Sequence, residues 1–263
     1  LAYETDYLEN PNGISNFDLN MFNIADGVSP LSPMAMNFGV DIDPSFLSGA
    51  GEQEETIQEG APIAVVNLST GERVPILTEM DQANREWSDY DARHPLIIRP
   101  LAPMNFGERY MVVLSNELRD VNGNELPRSE VFDLFQKEQY TDNDVIENMR
   151  ERYEYMFEVA ENDDWKRDDI LLMWDFQVAS EEFVLGPIKS IKEQVLSQDA
   201  SSFEFEISEQ DEDPNDNLSW FIKGTFYPPN FLDDNELSLD HNYLPIEQSE
   251  RMGYNFHMVV PKS

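Results

Sequence analysis

The chain reads as a β-rich α+β protein, because its hydrophobic period changes twice along its length. From Ala61 to Pro127, short β-branched and aromatic runs alternate with turn residues. From Ser129 onward the period moves toward 3.6, and after Phe203 strict alternation returns. The expected order is therefore a β-sandwich, a helical segment with a strand inside it, and further strands. The corresponding boundaries are an extended arm over 1–28, the sandwich over 29–128, the helical segment over 129–200, and a hairpin, linker and terminal strand over 201–263.

Leu1 to Asp26 is rich in Asn, Asp and Tyr with little periodicity, as expected of an arm laid on a surface. Pro30 to Phe38 reads as a strand entered through prolines, Asp41 to Phe46 as the turn after it, and Ser48 to Gly60 as a Gly/Glu/Gln loop. Ile63 to Leu68, the turn Ser69-Thr-Gly-Glu72 and the return Arg73 to Leu77 make a hairpin. Pro95 to Arg99 and Arg109 to Leu114 are expected as a second pair joined by the loop Pro100 to Gly107. Asp120-Val-Asn-Gly-Asn124 closes the series, with Gly123 free to take the positive φ that a tight turn requires. A first strand, a variable loop and paired strands in this order are those of an immunoglobulin-like sandwich.

Ser129 to Lys137 is expected as a short helix, and Thr141 as the cap of a longer one with Asp144 as its capping-box partner. Val145, Met149, Tyr153, Met156, Phe157 and Ala160 then share a face that suits a core, while the acidic flanks suit a lipid surface poorly. Ile170 to Val178 is an apolar strand that puts Trp174 and Phe176 on one side and Asp175 on the other. Ser180 is placed as the cap of another helix, broken near Pro187, with Ile188, Ile191 and Val195 buried. Phe203 to Ile207 and Trp220 to Phe226 form a hairpin around the acidic loop Asp211 to Asn217, and Tyr254 to Val260 is a last strand.

With 53 acidic residues against 17 basic ones, the formal charge is −36, which repels nucleic-acid phosphates and anionic headgroups. The 40% of apolar residues, including 16 Phe, is enough for a folded core. There is no cysteine, hence no disulfide or thiolate chemistry, and no apolar run approaches the ~20 residues of a membrane-spanning helix. The acid itself reads first as surface solvation.

No catalytic residue is assigned and no cofactor is expected. His94, His241 and His257 lack metal-ligand spacing, and no serine stands in a Gly-x-Ser-x-Gly context. Calcium is the one cation worth considering, because hard cations prefer clustered oxygens. Asp211, Asp213 and Asp216 form one candidate set, read alternatively as a solvated loop. Asp120, Asn122 and Asn124 form the other, read alternatively as a turn bonding its own backbone.

Five blocks taken in order, Ser69-Thr-Gly-Glu-Arg-Val-Pro75, Leu96-Ile-Ile-Arg-Pro-Leu-Ala-Pro103, Gly107-Glu-Arg-Tyr110, Leu118-Arg-Asp-Val-Asn-Gly-Asn124 and Leu171 to Ser180, resemble the N-terminal region of secreted or surface-anchored bacterial lipase-like proteins. The resemblance runs from about Gly27 to the end. It implies an extracytoplasmic location and a following α/β-hydrolase domain with a serine nucleophile in a Gly-x-Ser-x-Gly elbow and a Gly-His-Gly oxyanion segment. Neither pattern occurs in this chain. The implied role is a non-catalytic scaffold that positions or shields a downstream hydrolase domain, with Ser263 near a domain junction or cleavage point. The alternatives are a stand-alone immunoglobulin-like adhesin, filament or matrix subunit that packs on neighbouring subunits, and a calcium-stabilised module. On either of the first two, the apolar side of Tyr254, Phe256, Met258 and Val260 is expected to be covered by a partner.

Overall fold

The computed structural model describes residues 24–81 and 95–262. Most of the expected N-terminal arm, His94 and Ser263 lie outside the described residues. The chain divides into two compact units at 181/182.

The first unit contains two antiparallel sheets. One has the order β1-β5-β4, from Met34–Met36, Leu96–Pro100 and Ile76–Met80. The other has the order β3-β2-β6-β7, from Arg73–Val74, Ile63–Asn67, Arg109–Ser115 and Ile170–Gln177. A continuous apolar run marks the inner strands of the second sheet. Every residue of β2 is buried, as are Tyr110 to Ser115 of β6, so both faces of these strands are covered. β4 and β5 instead alternate between buried and partly exposed positions, which leaves one side of their sheet to solvent.

The first core lies between the sheets. Val65, Val112 and Leu114 meet Ile76, Leu96 and Ile98, and Trp174 and Phe176 pack against the same cluster. The second core lies on the opposite face of the four-stranded sheet, where Ala64, Val66, Met111, Val113 and Met173 receive Phe132, Phe135, Met156, Phe157 and Ala160. Those side chains come from α1 (Glu130–Gln136) and α3 (Arg150–Asn162). With the short α2 (Asp144–Glu147), the helices form an insertion between the paired strands β6 and β7. The expected boundary at 128/129 therefore falls between elements that share a sheet.

Three local expectations change. The Arg73 to Leu77 return is split at Pro75: β3 pairs with β2, and β4 pairs with β5 in the other sheet. For the same reason β5 and β6 are not a pair, and the loop Pro100 to Gly107 carries the chain from one sheet to the other. The long helix expected from Thr141 is interrupted. Asn143 caps α2 through Val145 N–H at 3.0 Å, and Val145 is 71% exposed rather than on the core face.

Arg167 fixes the insertion. Its guanidinium donates to the Phe135 and Gln136 carbonyls at the end of α1, at 2.8 and 3.0 Å, where Phe135 also accepts the Glu138 backbone N–H at 3.2 Å. It also donates to both carboxylate oxygens of Glu154 on α3 and lies 3.9 Å from the centre of the Phe157 ring.

At the start of the described chain, Val28 forms a parallel bridge to Val178 beyond β7. A β-carbon on Gly27 would sit 2.4 Å from the Ala179 nitrogen, so only glycine admits this approach. Across the strand, Tyr110 at the start of β6 accepts the Asn105 backbone N–H at 2.8 Å, tying the preceding corner back onto the sheet.

The second unit holds α4 (Glu181–Leu196, of which Glu181 falls before the division), a three-stranded antiparallel sheet β8-β9-β12 and a two-stranded ribbon. The sheet strands are Glu204–Asn215, Leu218–Tyr227 and Tyr254–Pro261, and the ribbon is β10 (Leu232–Asp233) with β11 (Glu236–Leu237). α4 continues through Pro187 instead of breaking there. Ile188 is 59% exposed, and no residue of the helix is buried.

Candidate interaction surface

Antiparallel register decides which side chains of the second unit's sheet share a face, because directly opposed residues point the same way. β9 places Trp220, Ile222, Gly224 and Phe226 on one face. β12 sets Val260, Met258, Phe256 and Tyr254 directly across from them. β8 adds Phe205 opposite Phe226 and Ile207 opposite Gly224. One face is thus apolar over most of its extent, with Gln210 and Glu212 at one end of β8. The other face carries Glu204, Glu206, Glu209 and Asp211 from β8, with Lys223, Asn255 and His257 beside them.

The apolar face is open. Phe205 is 61% exposed and Met258 47%, and among the described residues after 181 the buried apolar side chains are Pro229, Phe231 and Pro245, none of them in the sheet. Among the described residues this strongly alternating three-stranded sheet therefore leaves its apolar face partly exposed, most of all along the outer strands β8 and β12. Gly224 is the sheet's tightest point. A β-carbon there would lie 2.7 Å from the Phe256 ring, so that ring lies flat across the glycine and closes the gap between β9 and β12.

The two edges of the sheet differ in chemistry. β8 is lined by Glu204, Glu206, Glu209, Asp211, Glu212 and Asp213, whereas β12 contains no Asp, Glu, Lys or Arg. Acidic side chains protect the first edge from pairing with other strands; the second has no such protection.

The calcium candidates are placed differently from the loop cluster expected of them. Asp211 and Asp213 belong to β8, and only Asp216 sits in the turn, since the strand extends through most of the expected acidic loop. Asp211 lies opposite Phe221, while Asp213 takes a φ of 63° at an irregularity and ion-pairs with Lys262. Strand geometry thus spreads these carboxylates. Asp120 is a turn organiser: one carboxylate oxygen accepts the Asn122 and Asn124 backbone N–H groups at 2.8 Å, and the other accepts the Asn124 amide at 2.9 Å. The Asn124 side chain and backbone hold its carboxyl below the usual aspartate range. Asn122 and Asn124 thus act as donors to Asp120. Among the described residues no group of three or more His, Asp or Glu side chains converges as a metal site.

Asp175 points to the helical side of β7, opposite Trp174 and Phe176, and its side chain is 4% exposed. Arg109 on β6 donates to it at 2.9 Å, and Arg152 on α3 closes a second ion pair. It ties strand to strand and sheet to helix. His241 lies beside the Asn242 amide at 3.1 Å, and the His257 ring is 6.1 Å from that of Phe221. A cavity of about 140 Å³ in the first unit is lined by Arg73, Asp163, Trp165 and Asp169 among others. Arg73 and Asp163 are already joined there at 2.8 Å, as a structural pair.

The sequence showed the apolar side of β12 but not the larger face to which it belongs. The signal was present in the matching alternation of Phe205, Ile207 and Trp220 to Phe226, and became a surface only once the register was known. Compared with known proteins, the chain matches no family model and no curated protein.

Proposed function

We propose that this chain is a non-catalytic scaffold of an extracytoplasmic bacterial lipase- or esterase-like protein, in which an immunoglobulin-like sandwich carries a second unit that docks on a hydrolase domain. The single observation that carries it is the uncovered apolar face of β8, β9 and β12, a surface built to be packed against another protein. Its chemistry suits packing and not turnover, since no activated nucleophile accompanies it. The immunoglobulin-like assignment is supported by three features: the strand orders β1-β5-β4 and β3-β2-β6-β7, the parallel contact of Val28 with Val178, and the Tyr110 hydroxyl tied to the corner before its strand. The hydrolase partner comes from the resemblance of the five sequence blocks.

The test is activity-based labelling of the native polypeptide. Purified residues 1–263 hydrolyse short- and long-chain esters no faster than background, and a fluorophosphonate probe labels the parent protein outside them. Labelling within 1–263 that tracks turnover overturns the assignment. A second reading, a stand-alone surface subunit that packs on its neighbours, is favoured by the unprotected edge of β12.

A further inference from the structure

Besides the apolar face, the second unit leaves open the edge of β12. We infer that β12 is a self-pairing edge through which two copies of this chain join their sheets, antiparallel and about a two-fold axis near His257.

Charge selects the edge. Two chains of formal charge −36 repel over almost any pair of surfaces, and the β8 edge would set carboxylates against carboxylates. Tyr254–Pro261 carries no formal charge with His257 neutral, so it is where two copies can meet without like charges directly opposed.

The strand is also self-complementary. With His257 opposite its symmetry mate, Tyr254 falls opposite Val260, Phe256 opposite Met258, and Asn255 opposite Val259. Side-chain parity is preserved, so on the apolar face each β12 residue meets another apolar residue, while on the opposite face Val259 meets Asn255. The product is one sheet of six strands with an acidic β8 at each outer edge. Both ends are then protected, and association stops at the dimer instead of running on into a fibre. The β12 backbone groups that point away from β9 gain partners. The inference uses the edge and not the face, so it stands whether or not a hydrolase domain covers the apolar side.

The experiment is sedimentation equilibrium of the 1–263 chain across sodium chloride concentrations, with hydrogen exchange of β12. A dimer is expected that tightens as salt rises toward 0.5 M, where the Debye length has fallen to about 4 Å. The β12 amides should become protected in step with dimer formation. His257→Glu is the decisive variant. Within one copy it places a carboxylate directly across from Lys223, which favours the folded sheet, but across the axis it opposes two carboxylates. The variant should keep its circular dichroism and melting temperature and weaken the dimer several-fold, whereas His257→Gln retains it. A monomer at every salt concentration overturns the inference. So does a dimer indifferent to His257→Glu, or one lost on Phe205→Glu but not on His257→Glu, which would mean face-to-face packing.

Discussion

The ring of Phe256 lies across Gly224, close enough that two of its carbons would come within 2.8 Å of any β-carbon placed there. The Glu206 carbonyl closes the same space from the other neighbouring strand, at 2.2 Å. One glycine therefore lets β8, β9 and β12 pack into a continuous sheet. Gly224→Ala should disrupt the second unit by about 2 kcal/mol or more, since both neighbours must shift. Hydrogen exchange should accelerate in 204–227 and 254–261 and remain unchanged in β2 and β6. Equal acceleration in both units would contradict this.

Arg167 is the corresponding point in the first unit. Arg167→Met leaves the Phe135 and Gln136 carbonyls and the Glu154 carboxylate without this donor. A loss of about 2–3 kcal/mol is expected, read as a lower denaturant midpoint, with the exchange of α1 and α3 affected most. Arg167→Lys should recover only part of it, because an ammonium cannot reproduce the planar fork.

How far the sequence disclosed this architecture depends on how local the determinants were. The short helix opening at Ser129, the Asp120 turn and the strand that begins at Ile63 could be read in place, because a helix start, an Asx turn and a β-branched run each leave a short signature. The partners of β5 could not, since Leu96 to Pro100 looks the same whether it pairs with β6 or lies between β1 and β4. The insertion of α1 to α3 between two paired strands was equally hidden, because pairing across some fifty residues depends on packing and not on local pattern. At the candidate surface, alternation disclosed the apolar side of β12. The acidic loop at 211–215 was misplaced because Asp and Glu, poor strand formers alone, are carried into β8 by a long pairing with β9.

Acid should loosen the tie between α2 and Arg150. The Arg150 side chain and the Thr141 backbone N–H lower the pKa of Glu147 from 4.5 to about 2. A carboxyl depressed in the folded state contributes stability that is complete above its unfolded value and lost as pH falls from about 4.5 to about 2. The carboxyl carbon resonance of Glu147 should titrate near the lower value. A midpoint at 4.5 would show that the pair with Arg150 does not form, and Glu147→Gln should remove this part of the acid sensitivity.

Salt should stabilise the chain without regard to the cation. Screening relieves the self-repulsion of a −36 chain, and both Asp120 oxygens are already engaged by its own turn. Melting temperature should rise from very low to moderate sodium chloride. Calcium at matched ionic strength should add nothing further, and a calcium-specific rise would restore a bound-ion role for the acidic segments.

In the native assembly the apolar face of β8, β9 and β12 is expected to be covered by another protein. Carbene footprinting reads that directly, by comparing Phe205, Trp220, Tyr254 and Met258 in the isolated 1–263 chain and in the intact assembly from its source. All four should be labelled in the isolated chain, Phe205 most heavily, and protected in the assembly, with exposed Tyr140 of the first unit labelled equally in both. Equal labelling of the four residues in both samples would contradict it.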